Sequence, residues 1–264
     1  MGLFGKLFEK KICSVCGREI KFLGNRKLED GNLCRDCEKK LSPWFDGRRH
    51  ASAEEIRRQL HSREENRALV AAFRTTHSLG RSTRLLLDED AMRFMITDAR
   101  DLDAANPDVL SFSQITGCDI DIRESRREET RTVKDKEGHS HSESYDPPHI
   151  IYTYHFYVEV RVDAPYFDTM RFPVNSGVEI RPWESGRLYR NGIPAGARML
   201  DAAYRETDRL AREIKRALDA ARERARDQAA AAARPREAVL CPFCGASTVP
   251  DENNRCEYCG SALG

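Results

Sequence analysis

Cys13-Ser14-Val15-Cys16-Gly17 and Cys34-Arg35-Asp36-Cys37 form a pair of CxxC motifs separated by 17 residues. Two residues between paired cysteines let both sulfur atoms bind one metal ion, and Gly17 relaxes the backbone behind the first pair. This spacing is typical of a tetrahedral zinc site with four thiolate ligands. We therefore expect Cys13, Cys16, Cys34 and Cys37 to hold one structural Zn2+ ion.

A second pair of CxxC motifs lies near the other end of the chain, in Cys241-Pro242-Phe243-Cys244-Gly245 and Cys256-Glu257-Tyr258-Cys259-Gly260. By the same argument, Cys241, Cys244, Cys256 and Cys259 are expected to bind a second structural Zn2+ ion in a zinc ribbon. Eight of the nine cysteines then belong to metal sites, and Cys118 remains alone. Four disulfides are the competing interpretation, which we set aside because CxxC spacing suits structural crosslinks poorly.

Composition limits the classes of protein that the chain can represent. Of its 264 residues 40% are hydrophobic, the mean hydropathy is −0.65 and the formal net charge is +1. This charge gives no overall attraction to nucleic acid or to an anionic membrane. The sequence contains no signal peptide and no apolar run of membrane-spanning length, so we expect a protein of the reducing cytoplasm, where thiols stay available to metal.

Residues 1–45 are expected to form a zinc module of the treble-clef or ribbon type. Glu29-Asp30-Gly31-Asn32 predicts the turn of a hairpin, and residues 38–41 predict a helical turn. A module of this size has too small a core to fold by itself, so metal binding should supply much of its folding free energy.

Residues 46–80 are predicted to be a helical connector. Helical spacing of apolar residues extends over residues 51–79, and Ser52 and Glu55 match the capping box that begins many helices. His50, His61 and His77 lie along this connector without a cysteine partner. We expect them to be surface or capping residues.

Residues 81–195 are predicted to form an antiparallel β-domain, because the period of apolar residues changes to two. The pattern predicts a hairpin around Asp88-Glu89-Asp90, a strand over residues 112–122 and a clearer strand over residues 150–162. Five to seven such strands indicate a curved sheet or a small sandwich.

Residues 123–149 interrupt this pattern with many charged and few apolar residues. They predict a protruding, mobile hairpin tip. His139, His141 and His149 lie within it, but no thiol or carboxylate completes a defined coordination geometry around them. We expect a solvated loop there and no metal site.

Residues 196–234 are predicted to be a long helix, and residues 235–264 the zinc ribbon. Apolar or small residues recur every three or four positions at Ala203, Thr207, Leu210, Ile214, Leu218 and Ala221. The first half should cover the sheet, the Ala-rich second half should form a stalk, and Pro235 should end the helix. A self-pairing coiled coil is the competing interpretation of the second half.

The first eleven residues have Leu3, Phe4, Leu7 and Phe8 on one helical face and lysines elsewhere. Such a segment can lie on a membrane surface. We favour a short helix that packs on protein, because eleven residues are too few for a firm anchor.

Several stretches resemble the bacterial domain-of-unknown-function 4428 family. The likeness is specific over residues 11–45 and is carried by the opening CxxCG, by Lys27-Leu28-Glu29-Asp30-Gly31-Asn32-Leu33-Cys34 and by Lys40-Leu41-Ser42-Pro43-Trp44-Phe45. It continues through Arg63-Glu64-Glu65-Asn66 and Phe112-Ser113-Gln114-Ile115-Thr116-Gly117-Cys118. The family implies a zinc module but no activity. The strand series followed by a long helix is also similar to a pleckstrin-homology-like domain, which fixes no ligand.

An enzyme is not indicated by the sequence. A catalytic zinc needs an open coordination position, whereas both sites have four thiolates, and no HExxH, nucleophile elbow, P-loop or Rossmann glycine pattern occurs. Cys118 lies on the apolar face of a predicted strand, where a buried, inert thiol is expected.

The remaining functions are binding functions. Residues 1–45 have ten Lys and Arg against six Asp and Glu, a formal +4 that becomes about +2 with a zinc and four thiolates. Residues 234–264 are at −1, or about −3 with their metal, so nucleic-acid binding would depend on the N-terminal module. We expect an interaction protein with a protein or peptide partner. Nucleic-acid binding and a membrane-surface scaffold are the alternatives.

Overall fold

The computed structural model describes residues 11–21, 23–189, 192–233, 238–251 and 253–263. The chain forms two units, residues 1–222 and 223–264, and each is described by itself. The predictions for the helix of residues 1–11 and for Pro235 lie outside the described residues, apart from Lys11.

The N-terminal zinc module contains the predicted hairpin. Strands β1 (Asn25–Lys27) and β2 (Asn32–Cys34) pair antiparallel, with Lys27 opposite Asn32, and helix α1 (Arg35–Glu38) follows directly. Gly31 lies in the turn, where a Cβ atom would overlap the hydroxyl of Ser14. The turn therefore packs against the first cysteine motif only because residue 31 has no side chain.

Helix α2 (Ala53–Ala72) begins at the predicted capping box, because Ser52 accepts a hydrogen bond from the N–H of Glu55 and Glu55 bonds back to Ser52. The prediction that the helix continues to residue 79 is wrong. The chain is extended from Phe73, and residues 77–80 form strand β3 (His77–Gly80). The N–H of Thr76 instead donates to the carbonyl of Leu87 (2.8 Å), so pairing with the sheet replaces the helical hydrogen bonds.

The first sheet consists of β3, β4 (Arg84–Asp88), β5 (Arg93–Thr97) and, after the short helix α3 (Leu102–Ala105), β6 (Leu110–Ser111). The strands lie antiparallel in sequence order, which confirms the predicted hairpin of β4 and β5. Leu86 and Met95 face each other across this hairpin and pack against Val70 of α2.

The second sheet is built around one long strand. It contains β7 (Ile115–Lys134), β8 (Ser140–Val162), β9 (Thr169–Pro173) and β10 (Val178–Ile180), and β8 pairs with each of the other three. Between residues 152 and 162 the alternation of buried and more exposed side chains along β8 is the predicted one, whereas Ile151, predicted on the opposite face from Tyr152, is also buried. Residues 112–114, predicted to begin a strand, form a 3-10 turn in which Ser111 and Gln114 make a second capping box.

Residues 123–149, named the arm from here on, form the predicted hairpin, but most of them are paired strands and the expected solvated loop is limited to the tip. The ladder between β7 and β8 continues to the pair Lys134 and Ser140, so a five-residue turn is left. Within the arm the ladder has one register shift, because Glu129 pairs with His149 whereas Thr130 pairs with Ser144. Cross-strand ion pairs such as Arg131 with Glu143 (3.3 Å) satisfy the charged side chains on an exposed ladder.

After the single-turn helix α4 (Ala195–Arg198), helix α5 (Ala202–Ala232) starts six residues later than predicted, because Asp201 accepts a hydrogen bond from the N–H of Tyr204 (2.8 Å). Its buried face includes Tyr204, Asp208, Ala211, Ile214, Leu218 and Ala221, so Ala203, which is exposed, was wrongly predicted to lie on it.

The first half of α5 covers the second sheet, as predicted. The Tyr204 ring packs edge-on against Tyr154 (5.2 Å between centroids), and the Arg222 guanidinium donates to the carbonyl of Thr116 (3.0 Å). Residues 226–232, in the second unit, are exposed. A stalk and a coiled coil both remain predictions for them. In the ribbon, strands β11 (Val239–Leu240) and β12 (Ser247–Thr248) pair antiparallel.

Candidate metal centres

The first cysteine motif forms a tight knuckle. The N–H of Gly17 donates to the carbonyl of Cys13 (2.9 Å), and the N–H of Cys13 donates to the carbonyl of Arg18 (2.9 Å). Gly17 has φ +72°, a left-handed conformation that L side chains adopt at a cost. The knuckle thereby turns the side chains of Cys13 and Cys16 toward one point.

The second motif approaches the same point from the end of β2. Cys34 is the N-cap of α1, and its sulfur accepts a hydrogen bond from the N–H of Cys37 (3.4 Å). The N–H of Cys34 in turn donates to the sulfur of Cys13 (3.4 Å). Backbone N–H groups therefore face the sulfur atoms, and they stabilise thiolates more than neutral thiols.

The four sulfur atoms have the separation that a zinc ion requires. They all lie within 4.8 Å of one another, and the Cys16 and Cys34 sulfurs are 3.7 Å apart. A tetrahedral zinc with Zn–S bonds of about 2.3 Å separates its sulfur ligands by about 3.8 Å. A disulfide would bring two sulfurs to about 2.05 Å, and these cysteines are free thiols. The geometry fits zinc and excludes crosslinks among these residues.

The pKa shifts of the thiols in this centre also indicate that it binds a cation. The backbone N–H and the guanidinium of Arg18 lower the pKa of the Cys16 thiol to about 6. Burial and the neighbouring thiols act in the opposite direction on Cys37 and raise its pKa far above the ordinary value. Four thiolates can therefore share this site only when a divalent cation supplies the balancing charge.

The C-terminal centre repeats the knuckle twice. The N–H of Gly245 donates to the carbonyl of Cys241 (2.9 Å), and the N–H of Gly260 to that of Cys256 (2.8 Å). The sulfurs of Cys241 and Cys259 are 3.6 Å apart, and those of Cys244 and Cys256 are 3.7 Å apart. The hydroxyl and N–H of Ser261 lower the pKa of Cys259 to about 6. The eight predicted ligands thus form two four-thiolate clusters that fit two structural zinc ions.

The two centres differ in how much core surrounds them. Three cysteines of the first centre belong to an apolar cluster with Leu28, Leu33 and Ile56, among others. The buried cluster of the ribbon contains Cys241, Cys256 and Leu263. Because so small a core stabilises little, the ribbon depends on its metal more than the N-terminal module does.

The histidines and Cys118 were predicted not to bind metal. Among the described residues, His139 alone of the histidines lies in a group of possible ligands, with Asp135 and Glu137, and all three are exposed at the tip of the arm. The N–H of His139 donates to the Asp135 carboxylate (2.8 Å), an ordinary turn contact. Cys118 is buried as predicted, and burial raises its pKa to about 12.

Sequence reasoning missed a buried polar network beside the N-terminal module. The guanidinium of Arg63 donates to the carboxylate of Asp108 (2.7 Å), and the hydroxyl of Ser42 donates to the other oxygen of that carboxylate (2.8 Å). The amide of Asn66 donates to the side chain of Asn106 (2.8 Å). The network joins the zinc module, α2 and the loop before β6. The sequence signals were that Arg63 and Asn66, three apart, share a face of α2, and that both lie in a stretch that resembles the DUF4428 family.

No helix in the described part of the chain has the length and apolar character needed to cross a membrane. Comparison with curated proteins and with solved structures finds no match, so the likeness to a pleckstrin-homology domain stays a prediction. One family model does match, the one described as Domain of unknown function (DUF4428), and it covers residues 11–59. These residues contain the first centre and the start of α2. The likeness to this family that the cysteine motif and the sequences around it had indicated is thus confirmed over residues 11–59.

Proposed function

We propose that the protein is a non-enzymatic interaction protein of the cytoplasm, which presents two structural zinc modules and a β-domain to a protein or peptide partner. Both clusters supply four thiolates, so a zinc ion in either has no position left for water or substrate. The role of the metal is then to hold each module in shape.

The observation that carries this proposal is the apolar surface of the ribbon. Of the large hydrophobic side chains that are exposed in the described residues, five lie in the ribbon: Val239, Leu240, Phe243, Val249 and Tyr258. Leu240, Phe243 and Tyr258 are 73%, 70% and 71% exposed. Phe243 and Tyr258 occupy equivalent places between the cysteines of the two knuckles. Apolar side chains concentrated in this way on a small module favour a binding surface.

Nucleic-acid binding through the N-terminal module is the alternative. Two of its cations are engaged, since Arg18 pairs with Asp36 (3.3 Å) and Arg26 pairs with Glu38 (2.6 Å). These pairs leave less positive charge for phosphate groups. A membrane-surface scaffold would depend on residues 1–11, which are almost wholly outside the described residues.

The test is affinity capture from the native cell with chemical crosslinking and mass spectrometry. The tagged protein is compared with a Phe243→Ser/Tyr258→Ser variant and with Ile12→Ser, a matched control at an exposed position of the other module. Zinc content is measured for each. We expect specific proteins to be lost with the ribbon variant and kept with the control. Capture that is abolished by nuclease, or an identical set of proteins for both variants, would contradict the proposal.

A further inference from the structure

At the base of the arm lies a groove of about 350 Å³, and none of the eight metal ligands lines it. Its walls come from β8, from the 3-10 turn Pro182–Ser185 and from residues 187–189. The side chains that matter for its chemistry are Pro147, Pro148, Tyr152, Trp183, Arg187 and Tyr189. A volume of this size is sufficient for a small ligand or a short peptide segment.

The aromatic wall of the groove is held in place by stacking. The ring of Trp183 stacks on His149 (4.7 Å between centroids), and His149 stacks on Tyr145 (4.0 Å), with interplanar angles of 11° and 10°. The Glu129 carboxylate lies 3.2 Å from Nδ1 of His149 and fixes that ring. Because Trp183 is positioned before any ligand arrives, binding would cost little side-chain entropy.

The floor of the groove is equally fixed. Tyr152 is almost fully buried, and its hydroxyl donates a hydrogen bond to the carbonyl of Tyr189. The proton of the Tyr152 hydroxyl is therefore not available to a ligand. It also holds the segment that carries Arg187 and Tyr189 against β8.

The polar groups of the lining select the chemistry of the ligand. Among the described residues, none of the lining side chains is a carboxylate or an amide. The indole N–H of Trp183 and the guanidinium of Arg187 are donors, and neither has a partner within the described ranges. An ordinary peptide has backbone N–H groups, and the described lining offers them no carboxylate or amide oxygen. A buried N–H without an acceptor is costly. Proline has no N–H, and the carbonyls of a polyproline II helix point outward to such donors.

The charge at the rim of the groove selects the residues that flank the prolines of the ligand. The Arg187 side chain is exposed at the rim, and the Arg126 guanidinium lies 5.4 Å from the centroid of the Tyr152 ring. The charge of Arg126 is balanced by Glu124 (2.7 Å), so it is Arg187 that disfavours a cationic ligand, which aromatic rings otherwise attract. A carboxylate next to the prolines would pair with Arg187.

We propose that this groove binds a proline-rich peptide segment in the polyproline II conformation, with an acidic residue beside its prolines. Aromatic-lined grooves recognise such segments because the ligand is already ordered and loses little entropy on binding. The proposal rests on the role of the protein as an interaction protein, but it uses a surface separate from the ribbon.

The test uses the intrinsic fluorescence of the full-length, zinc-loaded chain. The sequence has two tryptophans, so Trp44→Phe leaves Trp183 as the one reporter. It is titrated with a synthetic peptide of eight prolines that has a glutamate at each end. We expect a saturable change, and about threefold weaker binding for a lysine-flanked peptide and for Arg187→Ala, as for a solvent-exposed ion pair. Calorimetry with Trp183→Ala should show no binding, with circular dichroism as the check on folding.

Three results would overturn the proposal: no saturation with the glutamate-flanked peptide, equal affinity for a glutamate-flanked alanine peptide, or tighter binding of an oligothymidylate. The same titration with Phe243→Ser/Tyr258→Ser should be unchanged. If peptide binding fails while ribbon-dependent capture persists, only the groove proposal falls. If peptide binding is present while capture is identical for both ribbon variants, only the ribbon surface proposed above falls.

Discussion

The guanidinium of Arg63 and the carboxylate of Asp108 form an ion pair (2.7 Å) whose side chains are only 8% and 11% exposed. Arg63 lies on α2, Asp108 precedes β6, and Ser42 of the zinc module completes the hydrogen bonding of the carboxylate. Burial nevertheless raises the pKa of Asp108, although Arg63 and Ser42 act against this shift. Desolvation of the two charges therefore costs free energy. What the pair contributes is to fix three segments against one another.

A double-mutant cycle on this pair should therefore be strongly non-additive. Arg63→Met or Asp108→Leu alone leaves a buried charge without its partner and should reduce the free energy of unfolding by about 3 kcal/mol or more. The double variant Arg63→Met/Asp108→Leu should recover most of that loss. Denaturant unfolding measures the free energy of unfolding of the zinc-loaded parent protein, of both single variants and of the double variant. Additive losses would show that the pair is not coupled.

The purified, reduced protein should contain two zinc ions per chain. Cys16→Ser should reduce this to about one, because it removes a ligand from the first centre only, and Cys118→Ser should leave two. Elemental analysis of the three proteins is the measurement. A visible absorption band would point to iron, and one zinc or none in the parent protein would contradict the assignment.

A chelator should unfold the ribbon before it unfolds the N-terminal module. The first centre is embedded in an apolar cluster with Leu33 and Ile56, whereas the buried cluster of the ribbon consists of two ligands and Leu263. Hydrogen exchange followed by mass spectrometry should show loss of protection in residues 238–251 first and in residues 25–34 later. Simultaneous loss in both segments would mean that the metal contributes equally to both.

Glu124 should make stability depend on pH. Burial tends to raise its pKa, but hydrogen bonds from Arg126 (2.7 Å) and from the hydroxyl of Tyr154 (2.8 Å) outweigh this and lower it. Its contribution is then present above the unfolded pKa of about 4.3 and is lost as the pH falls through the lower folded value. Glu124→Gln should destabilise the protein at pH 7, and this effect should shrink steadily as the pH is lowered toward 3. Urea unfolding at both pH values, with the exposed Glu128→Gln as control, measures this.

The parts of the structure that were predicted correctly have local chemical causes. The CxxC spacing is fixed by the need of two sulfurs to reach one metal, so it identified both clusters. The alternation along residues 152–162 follows from the burial of one face of β8. The capping box of Ser52 and Glu55 depends on four consecutive residues.

The parts that were missed depend on partners distant in sequence. The arm has exposed side chains on both faces of its ladder, so its strands lack the apolar alternation that would have revealed them. The stack of Trp183 on His149 joins residues 34 positions apart, and the pair of Arg63 and Asp108 joins residues 45 apart. No pattern in a short window of sequence contains these contacts.

The register shift in the arm has a consequence for how this protein can change during evolution. Residues 145–148 have no partner on β7, because Glu129 pairs with His149 and Thr130 with Ser144. Four is an even number, so side chains keep the same alternation on both sides of the insertion. This tetrapeptide can therefore be deleted or exchanged for another of even length without turning any neighbouring side chain to the opposite face. The wall of the groove formed by Pro147 and Pro148 can thus change in length by an even number of residues while the rest of the arm keeps its facing.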